Sequence, residues 1–324
     1  MRGALLLAVV LLVACTAPSV VVSPSPVTMS PSVTATAMAP ATVVPTPTLQ
    51  PTPSVAPTAA PAATPILMPI FDAHMHYSRE SWTRHPPERV ASMLDTLGVR
   101  SALVSSGPDE GSFRLRAALG DRIVPLLGPY RGGQDVFSWA RDGTVIPYLD
   151  STYRAGVHKG FGEFHLSTGE IDLPVVQAAL RFAARNNLFL HAHADARAIA
   201  ELLNGVAPDY VVLWAHAGVT ATPEQVDALL ARWPKLWTEL SLRDDVAPNG
   251  VLDPRWRALF LKYPDRFMVG TDTWTVGGGA SGNERWDTYA EIVRGIRVWL
   301  SQLPPELAQK IAHLNAERFK SLFP

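Results

Sequence analysis

The sequence has 324 residues, a formal net charge of −1 and only 18% charged side chains, against about a quarter in an average soluble domain. The deficit is local: Arg2 is the only charged residue up to Phe71, and the rest of the chain carries the other 27 basic and all 29 acidic residues. This balance excludes a broad electrostatic footprint for nucleic acid, so no nucleic-acid partner is expected. The single cysteine excludes a disulfide framework, an iron–sulfur cluster and a cysteine-based zinc site.

Arg2 opens onto an apolar run, Gly3 to Cys15. It is too short to span a bilayer, which takes roughly 20 residues. A positive start and a short apolar segment read as a signal peptide over 1–14. The run ends Leu12-Val13-Ala14-Cys15, which resembles the bacterial lipobox, in which cleavage falls before the cysteine and the cysteine carries lipid. The only cysteine of the chain stands at that position, so Cys15 is expected to be lipidated. The alternative is an ordinary signal peptide with an incidental cysteine. Residue 16 is Thr, not the Asp that retains many lipoproteins at the inner membrane.

Residues 16–65 contain 12 prolines among Thr, Ser, Ala and Val, with no charge and no aromatic residue. Such a segment cannot build a packed core. A disordered, lipid-anchored Pro/Thr-rich linker is expected over 15–65, reaching up to roughly 150 Å at about 3.1 Å per residue. It would tie a folded domain over 66–324 to a bacterial membrane, on the cell surface or in the periplasm.

From Ile66 short apolar runs alternate with helical segments. The runs are Ile66–His76, Ser101–Ser106, Ile123–Tyr130, Val157–Leu166, Leu188–Ala194, Val211–Ala217, Leu236–Leu242 and Phe267–Thr273. Between them, Val90, Met93, Leu94 and Leu97 keep helical spacing, as do Val226, Leu229, Leu230 and Trp233. The second set follows Thr222-Pro223-Glu224-Gln225, an N-cap, an N1 proline and a capping-box glutamine. Tyr289, Ile292, Val293, Ile296 and Leu300 mark a later helix, and Arg131 to Gly156 is the least regular connection. Near-continuous apolar strands alternating with amphipathic helices indicate a parallel sheet covered by helices. Eight units fit an α/β fold of the (β/α)8 TIM-barrel type, typically about 250 residues. The runner-up, a doubly wound open sheet, usually has a Gly-rich turn after its first strand, where this chain reads Asp72-Ala73-His74-Met75-His76.

In such a barrel the chemistry projects from the C-terminal ends of the strands. His74 and His76 are two apart and share a face, so both can reach one metal. Glu163 is a carboxylate in an apolar, glycine-rich fourth strand, where a charge needs a partner. His191 and His193 share a face of the fifth strand, His216 ends the sixth and Asp272 ends the eighth. A single strand-end histidine is more often satisfied by hydrogen bonds than by metal. Six of the nine histidines at or near strand ends (His74, His76, His165, His191, His193 and His216) point instead to a cation. Imidazoles and carboxylates without cysteine suit zinc, and also manganese, iron or nickel.

The order His-x-His, Glu, His, His, Asp on strands 1, 4, 5, 6 and 8 resembles the amidohydrolase superfamily over essentially all of Ile66–Pro324. The amidohydrolase-related branch, whose closing helix resembles Leu314-Asn315-Ala316-Glu317-Arg318-Phe319, and the TatD-like metal-dependent hydrolases, whose strand 4 resembles Gly162-Glu163, are the nearest in pattern. The resemblance implies one or two divalent ions. His74, His76 and Asp272 would hold one, His193 and His216 a second, and Glu163 would bridge. His191 stays open as the alternative to His193. Lys159 is the only candidate for the carboxylated lysine of some members, but it lies four residues deeper than Glu163. Asp272 and His216 are implied as catalytic groups, with Asp272 passing a proton from the nucleophilic water to the leaving group of a small-molecule substrate.

Arg243 and Arg131 are candidates for binding a substrate carboxylate or phosphate, because a guanidinium matches either. A surface ion pair with Asp244 or Asp245 competes as the reading of Arg243. Trp274 is a candidate pocket wall. Gly277-Gly278-Gly279 reads as a mobile lid, with a phosphate-binding loop as the alternative. The expected activity is metal-dependent hydrolysis of an ester, amide, lactone or phosphoester. A one-metal decarboxylase, a non-catalytic binding lipoprotein and, least favoured, a TatD-like nuclease are the alternatives.

Overall fold

A computed structural model describes residues 67–274 and 285–323. The signal peptide, Cys15, the linker and Gly277-Gly278-Gly279 lie outside the described residues. Among the described residues, no helix is long and apolar enough to cross a membrane.

The eight apolar runs form eight parallel strands in sequential order. They are β1 (Ile70–His76), β2 (Val99–Ser105), β3 (Ile123–Leu127), β4 (Gly160–His165), β5 (Phe189–His193), β6 (Val212–Trp214), β7 (Leu236–Glu239) and β8 (Phe267–Met268). Beyond the end of β8, the chain meets β1. The Ala73 N–H donates to the Val269 carbonyl at 2.9 Å, and the Asp272 N–H donates to the His74 carbonyl at 2.7 Å. These bonds bring the ends of the sheet together, as a (β/α)8 barrel requires and an open doubly wound sheet does not.

Helices α1 (Pro87–Thr96), α2 (Glu110–Leu119), α3 (Val145–Thr152), α4 (Pro174–Arg185), α5 (Ala196–Gly205), α6 (Pro223–Arg232), α7 (Pro254–Lys262) and α8 (Tyr289–Leu300) follow the eight strands in turn. Their apolar stripes supply one large core outside the barrel: Val90 and Leu94 of α1, Val226 and Leu230 of α6, and Val293 and Leu300 of α8 are all buried. The capping box of α6 is formed, with Thr222 and Gln225 each satisfying the other's backbone N–H. The irregular third connection contains two short 3₁₀ turns, Gly133–Phe137 and Trp139–Arg141, before α3.

A second core fills the inside of the barrel at the end away from the site. Phe71, Phe189, Leu213, Trp237 and Met268 point inward there. Past a short α9 (Pro305–Gln309), the closing helix α10 (Asn315–Ser321) plugs that end. Phe319 is fully buried against Phe189 and Trp237, at ring distances of 4.7 and 5.3 Å. Burying such a ring contributes roughly 1.5–3 kcal/mol. Asn315 anchors the helix by donating to the Phe267 carbonyl at 2.8 Å. With one mouth sealed, the other is left for chemistry.

The strands are shorter at their C-terminal ends than the apolar runs suggest. Several residues just past them adopt left-handed backbone: His216 (φ 59°), Ala217 (φ 46°), Leu242 (φ 57°) and Asp272 (φ 49°). Such conformations are uncommon outside glycine and cluster at functional sites. They turn His216 and Asp272 out of the ladder, so alternation along a strand does not describe where these two side chains point.

Candidate metal centre

The centre is built from Glu163 outward. Its carboxylate is buried, and each oxygen faces a different pair of imidazoles. Oε2 lies 3.3 Å from His74 Nε2 and 3.1 Å from His76 Nε2. Oε1 lies 3.0 Å from His193 Nδ1 and 3.4 Å from His216 Nε2. Asp272 closes the first group, its Oδ1 3.2 Å from His76 Nε2 and 3.7 Å from His74 Nε2. In the second group, His193 Nδ1 and His216 Nε2 are 3.1 Å apart. All six expected ligands converge on one place.

Glu239, fully buried at the end of β7, works on the far side of the same rings. The His74 Nδ1–H donates to its Oε1 at 2.9 Å. The backbone N–H of His216 donates to the same oxygen at 2.6 Å, and the Ser241 N–H donates to Oε2 at 2.7 Å. The His216 Nδ1–H in turn reaches Ser241 Oγ at 2.8 Å. These bonds fix the tautomers, since a ring nitrogen that donates here leaves Nε2 unprotonated on the pocket side. Glu239, Ser241 and Arg243 share a face in the sequence, but no function follows for Glu239 from that spacing. The signal was nevertheless present, because a carboxylate in an apolar strand needs a partner, as Glu163 does.

Gly270 makes room for this arrangement. A Cβ there would lie 2.3 Å from Glu239 Oε2 and 2.8 Å from His74 Cβ. Asp72 ties β1 to the chain after β8, accepting from the Thr271 hydroxyl at 2.6 Å, the Thr271 N–H at 3.0 Å and the Tyr289 hydroxyl at 3.1 Å. Thr273 holds the backbone of His76 at both its N–H and its carbonyl.

The donor set fits a divalent cation. With Nδ1 of His74 and of His216 committed as donors, both Nε2 lone pairs face a carboxylate, an arrangement that is repulsive unless a proton or a metal lies between. The charge balance agrees. Burial opposes protonation of His74 and His76, yet the surrounding carboxylates raise His74 well above its ordinary value and His76 to about 9. Burial likewise opposes ionisation of Glu239, but His74 beside it holds the carboxyl down at about 2. Asp272 and Glu163 are held well below the usual carboxylate range against the same burial, chiefly by His74. A pocket that draws protons this strongly also draws a cation. His74, His76 and Glu163 form one grouping close enough to share an ion, and Glu163, His193 and His216 form another.

The strand-5 alternatives separate clearly. His193 faces Glu163, whereas both ring nitrogens of His191 are buried without a hydrogen-bond partner, and its ring lies against His74 at 4.6 Å. Burial lowers the His191 imidazole to about 3, so it stays neutral. Lys159 precedes β4 at the opposite end of the barrel, among Glu317 and Phe323. His165 stacks on His193 with ring centroids 4.0 Å apart. Its Nδ1 lies 2.9 Å from the Tyr130 hydroxyl, which accepts the His165 backbone N–H at 2.7 Å.

A cavity of about 220 Å³ opens above the centre, with His76, Glu163, His193 and Asp272 at its floor and Trp274 in its wall. The two arginines have other work. Arg243 is buried, its Nη1 donating to the carbonyls of Ala217 and Gly218 at 3.1 and 2.7 Å and its Nη2 to that of Ala221 at 2.8 Å. Nη1 also reaches the His216 carbonyl at 3.5 Å, Nε and Nη2 bond Asp245, and the guanidinium lies over the Trp256 ring. The expectation that Arg243 meets substrate is corrected: it clasps the loop that carries His216. Arg131 is likewise tied to Asp135, Asp142 and Thr144 and does not line the cavity, so its expected substrate role is corrected too. His216, expected also as a catalytic group, has both ring nitrogens engaged, one by Ser241 and one toward Glu163 and His193.

An amidohydrolase family model (Amidohydro_2) matches residues 71–319. Among solved structures, an apo protein from Agrobacterium tumefaciens is similar with a TM-score of 0.51 and 16% identity, over 81% of this chain and 98% of that one. An uncharacterized TIM-barrel protein from Bordetella bronchiseptica is similar with a TM-score of 0.50 and 14% identity, over 78% of this chain and 98% of its own. At these identities the likeness shows the barrel fold alone. No curated protein matches the sequence.

Proposed function

The chain belongs to the amidohydrolase family, and from that premise we propose a metal-dependent hydrolase that directs water at an ester, amide, lactone or phosphoester bond of a small molecule. The observation that carries this reading is Glu163, with one oxygen toward His74 and His76 and the other toward His193 and His216. In this reading His74, His76 and Asp272 would hold one ion and His193 and His216 a second, with Glu163 available to both. Zinc suits the donors best, with manganese, iron and nickel as alternatives.

A bound divalent ion supplies an acidified water and a polarised scissile bond. The protein supplies the rest. Asp272, kept ionised by His74 and His76, lies at the cavity floor, where it takes the proton of the attacking water and returns it to the leaving group. Glu239 and Ser241 keep the rings of His74 and His216 aimed. A one-metal decarboxylase would be favoured by a Glu163 turned away from the rings, and the observed Glu163 favours hydrolysis. The complete donor set favours an enzyme over a non-catalytic binding protein.

We also propose that the domain works outside the cytoplasm of a bacterium, tethered to the cell surface or in the periplasm by lipid on Cys15. The Leu12-Val13-Ala14-Cys15 run and the uncharged linker support that reading.

The test is metal content per chain, purified without chelator and compared with Glu163→Gln. Two ions in the parent and fewer in the variant are expected, with Asp272→Asn folded but inactive. A parent chain that takes up neither Zn²⁺ nor Mn²⁺ overturns the reading.

A further inference from the structure

The walls of the cavity carry information that its floor does not. Among the described residues lining it, none is a lysine or an arginine. The cationic side chains best placed to supply a charge, Arg131 and Arg243, are bound to protein groups. Of the serines that also line the cavity, Ser106 donates its hydroxyl to the Tyr77 carbonyl, and Ser78 accepts from the Gly107 N–H.

The walls are apolar, and unusually exposed for apolar residues. Phe137 is 85% exposed, Trp274 39% and Leu242 37%. They come from three different loops, after β3, β8 and β7, yet all line this one cavity. Apolar surface left in water costs about 25 cal/mol per Å², and three such side chains converging on one opening form a patch of the kind that marks a binding site. Leu242 also holds left-handed backbone, at φ 57°, a conformation that costs a leucine about 1–2 kcal/mol.

Resting on the hydrolase reading, we propose that the substrate is an uncharged carbonyl compound, an ester or lactone, whose apolar body sits between Phe137, Leu242 and Trp274 while its carbonyl reaches Glu163 and Asp272. A substrate bearing a carboxylate or phosphate on that body would enter a wall with no counter-charge and lose its hydration without compensation. Hydrolysis then adds water across the acyl C–O bond: the carbonyl carbon gains the hydroxyl, and the alkoxide leaving group gains the proton carried by Asp272.

The experiment measures kcat/KM of the metal-loaded full chain with p-nitrophenyl acetate, butyrate and hexanoate. p-Nitrophenyl hemiglutarate, with a carboxylate at the far end of its acyl chain, and p-nitrophenyl phosphate complete the set. Butyrate is expected to exceed acetate by about tenfold and hemiglutarate by at least that. Phe137→Ala, at an exposed position that the fold tolerates, is expected to shrink the butyrate advantage to about threefold or less. Hemiglutarate or phosphate turned over as well as butyrate overturns the substrate class and leaves the hydrolase reading intact. If no ester is cleaved, metal content still decides the hydrolase reading, and calorimetric binding decides the substrate class. N-phenylbutanamide binding at least tenfold tighter than its ω-carboxylate analogue, with the difference reduced in Phe137→Ala, supports it. Equal binding, or none, overturns it.

Discussion

His74 and Glu239 meet, Nδ1 to Oε1 at 2.9 Å, from positions 165 apart in sequence. Neither is more than 1% exposed. The bond does two things. It satisfies one site of a carboxylate that four donors surround, and it fixes the His74 ring so that Nε2 faces Glu163 and Asp272. Positioning residues of this kind behind a metal ligand typically alter affinity by about 10–100-fold when changed.

Glu239→Gln keeps the shape and removes the charge. We expect metal affinity to fall about 10–100-fold while the protein stays folded, because the amide oxygen can still accept from the His216 backbone N–H where Oε1 does, and only the Ser241 N–H loses its acceptor. Competition with a chelator measures it, and circular dichroism checks the fold. An unchanged affinity would remove Glu239 from the centre.

Gly270→Ala tests the same contact from behind. The new methyl would sit 2.3 Å from Glu239 Oε2 and 2.8 Å from His74 Cβ, so one of them must move. Overpacking of this size costs about 1–3 kcal/mol. The expected result is a lower Tm together with loss of bound metal. Gly295→Ala, in the exposed interior of α8 with nothing within 4 Å, is the control: it should leave bound metal unchanged and not lower Tm, since alanine favours the helix.

The architecture was legible because its signals are local. Eight apolar runs and the helical stripes between them locate the strands and most of the helices, and Thr222 and Gln225 announce the start of α6. The ligands were legible because histidines are rare and these gather at strand ends. What the sequence hid depends on bonds between distant segments. His191 and His193 are equivalent by alternation, and only the position of Glu163 separates them. Arg243 sits near a strand end like a substrate-binding residue, but the carbonyls that occupy it belong to the loop after β6, 22 to 26 residues earlier. Glu239 finds its partners in His74 of β1, His216 and Ser241, a meeting that spacing along β7 does not announce.

His191 contributes to the acid limb of the stability curve, as does His165, which burial lowers to about 4. The His191 imidazole is pushed by burial to about 3 in the folded protein, against an ordinary 6.5. The folded state therefore binds fewer protons than the unfolded state between these values, and stability falls as pH drops through that window. A cation beside His74 would push the same way. One such group removes about 2 kcal/mol by pH 5. His191→Leu is expected to flatten that limb, read as the difference in urea midpoint between pH 7 and pH 5. An unchanged difference would mean that His191 does not titrate against the fold.

Arg243→Lys separates a clasp from a substrate contact. The guanidinium holds the carbonyls of Ala217, Gly218 and Ala221 and the Asp245 carboxylate at once. A lysine has three donors on one atom and cannot span them. If Arg243 met substrate, the variant would keep its metal and raise KM alone. The expected outcome is different. The loop bearing His216 loosens, the ion on the His193 side binds more weakly by about tenfold or more, and stability drops by about 1–3 kcal/mol as buried carbonyls lose their partners. Metal titration of the variant and its Tm distinguish the two. A raised KM with full metal content and unchanged Tm would return Arg243 to the substrate.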